Sequence, residues 1–147
     1  AQFHERAVAY KAELDELHAW VTQQVAQVPE SGRILVTAHD AFGYFGDAYG
    51  IEVLGLQGIS TVAEYGVNDV RHLVDIIVDR KVKAIFVESS VPERSINAVR
   101  EGCEARGHDV VIGGTLYSDA MGEAGSGADT YTGMVRTNVS TIVAALK

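Results

Sequence analysis

His39 and Asp40 sit where an apolar run, Ile34-Leu35-Val36-Thr37, gives way to an aromatic one. An imidazole beside a carboxylate at such a junction has the donor types for holding a cation, moving a proton or capping a helix. Polar residues recur at comparable junctions. Gln57, Ser60, Thr61 and Glu64 follow a second apolar run, Glu88, Ser89 and Ser90 a third, and Thr115, Tyr117, Ser118 and Asp119 a fourth. If the runs are parallel strands, these residues share the rim where open α/β sheets bind ligands.

Each residue also has a purely structural role open to it. Asp40 and Ser90 suit helix caps, and Ser90 with Glu93 has the spacing of a capping box. Glu88 can bond a neighbouring backbone amide or Arg94. Asp119 can close an Asx turn in its own loop. A lone rim histidine is more often a surface or cap residue than a ligand. Rim position by itself defines a small-ligand site of unspecified type.

The elements that must position this rim can be read from periodicity. Phe3, Ala7, Tyr10, Leu14, Leu17, Val21, Val25 and Val28 recur at steps of three and four, one face of a helix. Pro29, Ser31 and Gly32 end it. A helix of about 25 residues is about 37 Å long, more than the following unit needs, so it spans two lobes or docks on a partner. Strands and helices then alternate: strand Ile34–Thr37, helix Ala41–Tyr49, strand Glu52–Leu56, helix Val67–Arg80, strand Ala84–Val87. A helix ending at Gly107, strand Val110–Ile112, a glycine-rich loop from Gly113 to about Ala128 and a last helix Asp129–Leu146 complete the chain. The expected architecture is α/β, a four-stranded parallel sheet with helices on both faces, preceded by a long interlobe-type helix.

The 147 residues suffice for one domain with a core, and 47% hydrophobic content excludes disorder. A formal net charge of −8 argues against nucleic acid as a partner. The single cysteine, Cys103, shares helical spacing with Ile96 and Val99 and reads as a buried helix residue. No apolar run approaches the roughly 20 residues that span a bilayer, and no signal-peptide pattern opens the chain. Walker A, G-x-S-x-G, H-E-x-x-H and C-x-x-C motifs are absent, and Gly43, Gly46 and Gly50 do not have dinucleotide-loop spacing. His4, His18, His72 and His108 are scattered and read as surface residues.

Three stretches in order, TAHDAFGYFGDAYG (Thr37–Gly50), FVESSVPER (Phe86–Arg94) and YSDAMGEAGSGADTYTGMVRTN (Tyr117–Asn138), resemble the C-terminal lobe of the extracytoplasmic solute-binding proteins of manganese/zinc ABC transporters. EVLGLQGIST (Glu52–Thr61) also fits. The resemblance covers about residues 30–147, a C-terminal α/β metal-binding lobe, and likens residues 1–29 to the long helix connecting the lobes. It implies a binding protein, not an enzyme, that captures Zn2+ or Mn2+ for a membrane permease outside the cytoplasm, in the periplasm or lipid-anchored at the cell surface. Carried over, the metal ligands of this lobe are His39 and Asp119, with Asp40 as the helix cap. Two histidines come from the N-terminal lobe in that family. Those, a signal peptide, a lipid-anchor cysteine and a His-rich loop do not match anything in this sequence. The resemblance therefore implies an isolated lobe, a truncation or proteolytic product, whose partners are the missing N-terminal lobe, the ABC permease and, through the bare helix face, a second copy of the chain. Imidazole plus carboxylate suits zinc and also accepts manganese.

Two other functions are open to an α/β chain of this kind. A flavodoxin-like enzyme or signalling domain holding magnesium or a phosphate ester needs a lone aspartate at the end of the third strand and a later lysine; the sequence has Glu88-Ser89-Ser90 and no suitable lysine. An adhesive lobe leaves no sequence feature to test.

Overall fold

The computed structural model describes residues 2–58 and 65–147. Helix α1 (Gln2–Val25) leads through a short 3-10 turn, Glu30–Gly32, into strand β1 (Ile34–His39). Then follow α2 (Gly43–Tyr49), β2 (Glu52–Gln57), α3 (Val67–Asp79), β3 (Ala84–Glu88), α4 (Arg94–Glu104), β4 (Val111–Leu116) and α5 (Tyr131–Leu146).

β1 and β3 are buried along their whole length, as expected of strands covered on both faces. Their side chains alternate between two cores. Ile34, Val36, Ala38, Ile85 and Val87 join Leu73, Val74 and Ile77 of α3 and Ile96, Val99 and Cys103 of α4. Leu35, Ala84 and Phe86 join Leu17, Val21 and Val25 of α1 and Val139, Ile142, Val143 and Leu146 of α5. Helices thus cover both faces.

The sheet departs from expectation. The strands form two parallel pairs, β1–β2 and β3–β4, rather than one four-stranded sheet. β1 lies beside β3, but no ladder joins them. Two local features accompany the gap. Between Ile85 and Val87, β3 advances two residues while its partners on β4, Ile112 and Thr115, advance three; this bulge adds local twist. At the rim, Asp40 N–H points to β2 and bonds Gln57 O, so His39 N–H points the other way, towards β3. It is met by the Glu88 carboxylate instead of a strand carbonyl.

β4 runs to Leu116, past the expected end at Ile112, and takes in Gly113 and Gly114. Glycine is used there for close approach: a Cβ on Gly113 would stand 2.6 Å from the Phe86 ring and 2.8 Å from Ala145 on α5. Gly114 carries the bulge at φ 142°.

The stripe on α1 divides. Leu17, Val21, Val25 and Val28 are buried in the lobe, whereas Phe3 is 89% and Tyr10 45% exposed. Arg136 of α5 stacks over Trp20, 4.7 Å from the ring centroid, and Thr132 donates to Glu13, fastening the second half of α1 to α5. No described helix is long and apolar enough to cross a membrane.

Candidate functional site

His39 ends β1 in a fully specified setting. It is 1% exposed. Its N–H donates to Glu88 Oε1 at 2.8 Å, and its carbonyl accepts from the Thr37 hydroxyl at 2.9 Å and Ala41 N–H at 3.1 Å. The imidazole Nδ1 lies 2.7 Å from Glu88 Oε2, close enough for an ion pair, and among the described residues neither atom has an aligned hydrogen-bond partner. Glu88 is itself only 3% exposed. One buried carboxylate therefore bonds the backbone of His39 and stands against Nδ1 of its ring, and the ring nitrogen left to face outward is Nε2.

β2 tightens this arrangement. A Cβ on Gly55 would stand 2.9 Å from Asp40 N and 3.0 Å from His39 C. Only a glycine lets β2 close on the strand end that carries the imidazole. Nothing in the sequence singled out this position beyond its residue type.

Asp119 arrives from the loop after β4, and its Oδ2 lies 3.2 Å from His39 Nε2. Its φ of 56° is left-handed, a conformation that Asp and Asn adopt more readily than other side-chain-bearing residues. The approach is prepared by the three residues before it. Ser89 N–H bonds Leu116 O, Asn138 of α5 bonds both Tyr117 N–H and Tyr117 O at 2.9 Å, and Ser118 Oγ meets Ser90 Oγ at 2.6 Å. Asp119 itself is half-exposed, at 56% of its side-chain surface. With His39, Asp40, Ala41, Gly43, Tyr44 and Asp47 it lines an open cleft of about 470 Å3.

The other rim residues have different places. Asp40 is exposed and does not cap α2, which starts two residues later than expected, with Phe42 at its N-cap and no side-chain cap bond. Ser90 does not cap α4, whose N-cap is Glu93; its hydroxyl goes to Ser118 instead. Gln57 and Ser90 border a separate cleft with Tyr65, Arg94 and Ser95. Thr115 lies inside β4. Ser60, Thr61 and Glu64 lie outside the described residues. Glu88, the residue a phosphoacceptor reading would need free at the end of β3, is committed to His39.

The chemistry of the pair follows from spacing and charge. Two ligands each 2.0–2.2 Å from a tetrahedral ion stand about 3.4 Å apart. The 3.2 Å between Nε2 and Oδ2 is close to that separation. Two carboxylates flank one imidazole, and a divalent cation would balance their two negative charges. Among the described residues no group of three or more His, Cys, Asp or Glu side chains converges for a metal, so the pair stands as two donors.

Residues 1–145 match the family described as zinc-uptake complex component A, periplasmic (ZnuA). The chain belongs to that family. It is 55% identical over 145 residues to the manganese-binding lipoprotein MntA of Bacillus subtilis (strain 168), covering 99% of this chain and 47% of that one. It is 52% identical over 145 residues to the zinc-binding protein TroA of Treponema pallidum (strain Nichols), with the same coverage. The solved structure of the periplasmic zinc-binding protein TroA from Treponema pallidum superposes with a TM-score of 0.95 at 53% identity, covering 98% of this chain and 52% of that one. The chain thus spans about half the length of the curated relatives it matches.

Proposed function

We propose that this chain is the C-terminal lobe of a divalent-metal capture protein serving a manganese/zinc ABC importer, and that His39 and Asp119 are its half of the metal site. The observation that carries the reading is the 3.2 Å pairing of His39 Nε2 with Asp119 Oδ2 while Nδ1 lies 2.7 Å from the buried Glu88 carboxylate. Metal-ligating histidines characteristically give their second ring nitrogen to a carboxylate in this way. In this reading residues 30–147 are the lobe and residues 1–29 the connecting helix.

The remaining ligands come from an N-terminal lobe facing the rim. That lobe, rather than a second copy of this chain, is the occupant we assign to the bare end of α1 around Phe3, Val8 and Tyr10. The ion is cargo, released to a membrane permease outside the cytoplasm, and the protein is a carrier rather than an enzyme. The manganese-binding and zinc-binding relatives are about equally similar, and the donor pair accepts either ion.

Titration of the chain with Zn2+ and with Mn2+ tests the proposal. A two-donor site leaves several coordination positions to water, so binding should be micromolar or weaker and should vanish in both His39→Ala and Asp119→Ala. Tight binding that survives both substitutions would place the metal elsewhere and overturn the assignment.

A further inference from the structure

Asn138 closes the third motif, yet it lies on α5 and is not among the residues lining the His39 cleft; it lines an adjoining cavity with Tyr117 and Asp119. Its side chain is 7% exposed, and its amide makes two 2.9 Å bonds to one residue: Oδ1 accepts from Tyr117 N–H and Nδ2 donates to Tyr117 O. An amide that offers an acceptor to N–H and a donor to C=O imitates a neighbouring strand. The imitation falls where it is needed. The β3–β4 ladder ends at the pair Glu88 and Leu116, and the next residue along β4 is Tyr117.

We propose that Asn138 is a positioning residue for metal binding, a side-chain clamp that extends β4 by one residue and so sets how far Asp119 stands from His39. The proposal rests on the assignment of His39 and Asp119 as ligands. Asp119 is two residues beyond the clamp, half-exposed and in a left-handed conformation, so its own loop gives it little support. Ligand constellations work when held within about 0.5 Å of their productive geometry. Here the holding is done by an element that does not line the His39 cleft but shares an adjoining cavity with Asp119. Asn138 bonds Tyr117, and the serines Ser89 and Ser90 hold Ser118 from the β3 side, at 3.4 Å to its N–H and 2.6 Å to its hydroxyl.

Two variants of the full chain separate this role from simple stability. Asn138→Asp keeps the volume and the acceptor for Tyr117 N–H but sets a second oxygen against Tyr117 O. Asn138→Ala removes both bonds. Ile77→Val, in the core beneath α3, serves as a control that costs stability far from the rim. Zn2+ affinity should fall about tenfold in both Asn138 variants, the low end of what losing a ligand's direct hydrogen-bond partner costs, and stay at the wild-type value in Ile77→Val. In the metal-free chain, the Tyr117–Asp119 amide signals and the His39 Nε2 resonance should move with Asn138→Asp and not with Ile77→Val. If Asn138→Ala does not fold, Asn138→Asp carries both measurements. Wild-type zinc affinity and unmoved resonances in Asn138→Asp would overturn the clamp alone. Zinc binding indifferent to His39→Ala would overturn the site assignment, and the clamp with it.

Discussion

Glu88→Gln is the sharpest single perturbation of the rim, because it exchanges one carboxylate oxygen for an NH2 group and changes almost no volume. In the wild type, Glu88 offers an acceptor to His39 N–H at 2.8 Å and another to Nδ1 at 2.7 Å. A glutamine has one acceptor and one NH2 donor in the same places. If its oxygen keeps the backbone N–H, its NH2 faces Nδ1. The ring must then carry its proton on Nε2, the nitrogen that faces Asp119. If the amide turns the other way, its NH2 meets the His39 N–H and the strand end is pushed off. Either arrangement works against a metal on Nε2. Loss of such an outer partner typically costs 10–100-fold in affinity, equivalent to about 1.4–2.7 kcal/mol. Zinc titration of the variant, paired with 15N NMR of the His39 ring, gives both the affinity and the tautomer. Affinity within twofold of wild type, with the proton still on Nδ1, would refute the reasoning that Glu88 selects the ligating nitrogen.

Other consequences can be checked with standard measurements. Gly55→Ala should lower stability by about 1–3 kcal/mol in chemical denaturation, because its Cβ would meet Asp40 N at 2.9 Å and the strand end has no room to yield; an unchanged midpoint would show that β2 can move away freely. Leu17→Ala, buried against α5, should cost about 2–5 kcal/mol, whereas Phe3→Ala, 89% exposed, should stay within about 0.5 kcal/mol of wild type; equal effects would mean that α1 is not divided as described. Burial raises the Cys103 thiol and the Tyr49 hydroxyl above their ordinary values of 9.0 and 10.0. The unfolded chain therefore loses these protons first, so their contribution is complete below about pH 9 and stability falls as pH climbs through the raised values. Melting temperatures between pH 8 and 11 should show that decline, and Cys103→Ala should flatten its lower part; a curve unchanged by the substitution would assign the decline to other groups.

The order of elements was legible because each apolar run has its own period. Three-and-four spacing marked the helices, and β1 and β3 read as short apolar runs because both their faces are buried. The positions of His39, Glu88 and Asp119 at or just beyond strand ends were legible for the same reason. The sequence could not show that β4 continues through Gly113 and Gly114. Glycine pairs look like loop in one dimension, and only the Phe86 ring and Ala145 overhead turn them into a strand. Nor could it show that the sheet parts between β1 and β3, because which strand edges pair is decided by tertiary packing and is not written in either strand.

At the rim, residue types fixed which atoms were available, and tertiary structure decided what each would do. Ser90 and Asp40 have the chemistry of caps, but a cap is local, and Ser90 instead finds Ser118 across the β3–β4 edge. Glu88 was one carboxylate among several until β1 came to lie beside β3 and brought the His39 ring and amide within 2.8 Å of it. Asn138 was legible in the sequence only as the last residue of the third motif, with nothing to show its part. Its part depends on α5 packing over the end of β4, a contact between segments whose separation along the chain hides it from any periodicity. Sequence alone thus determined the inventory of donors and the order in which strands present them. Distances and the bonds that fix Tyr117 came from long-range packing, because no local pattern encodes which remote side chain will meet a given strand end.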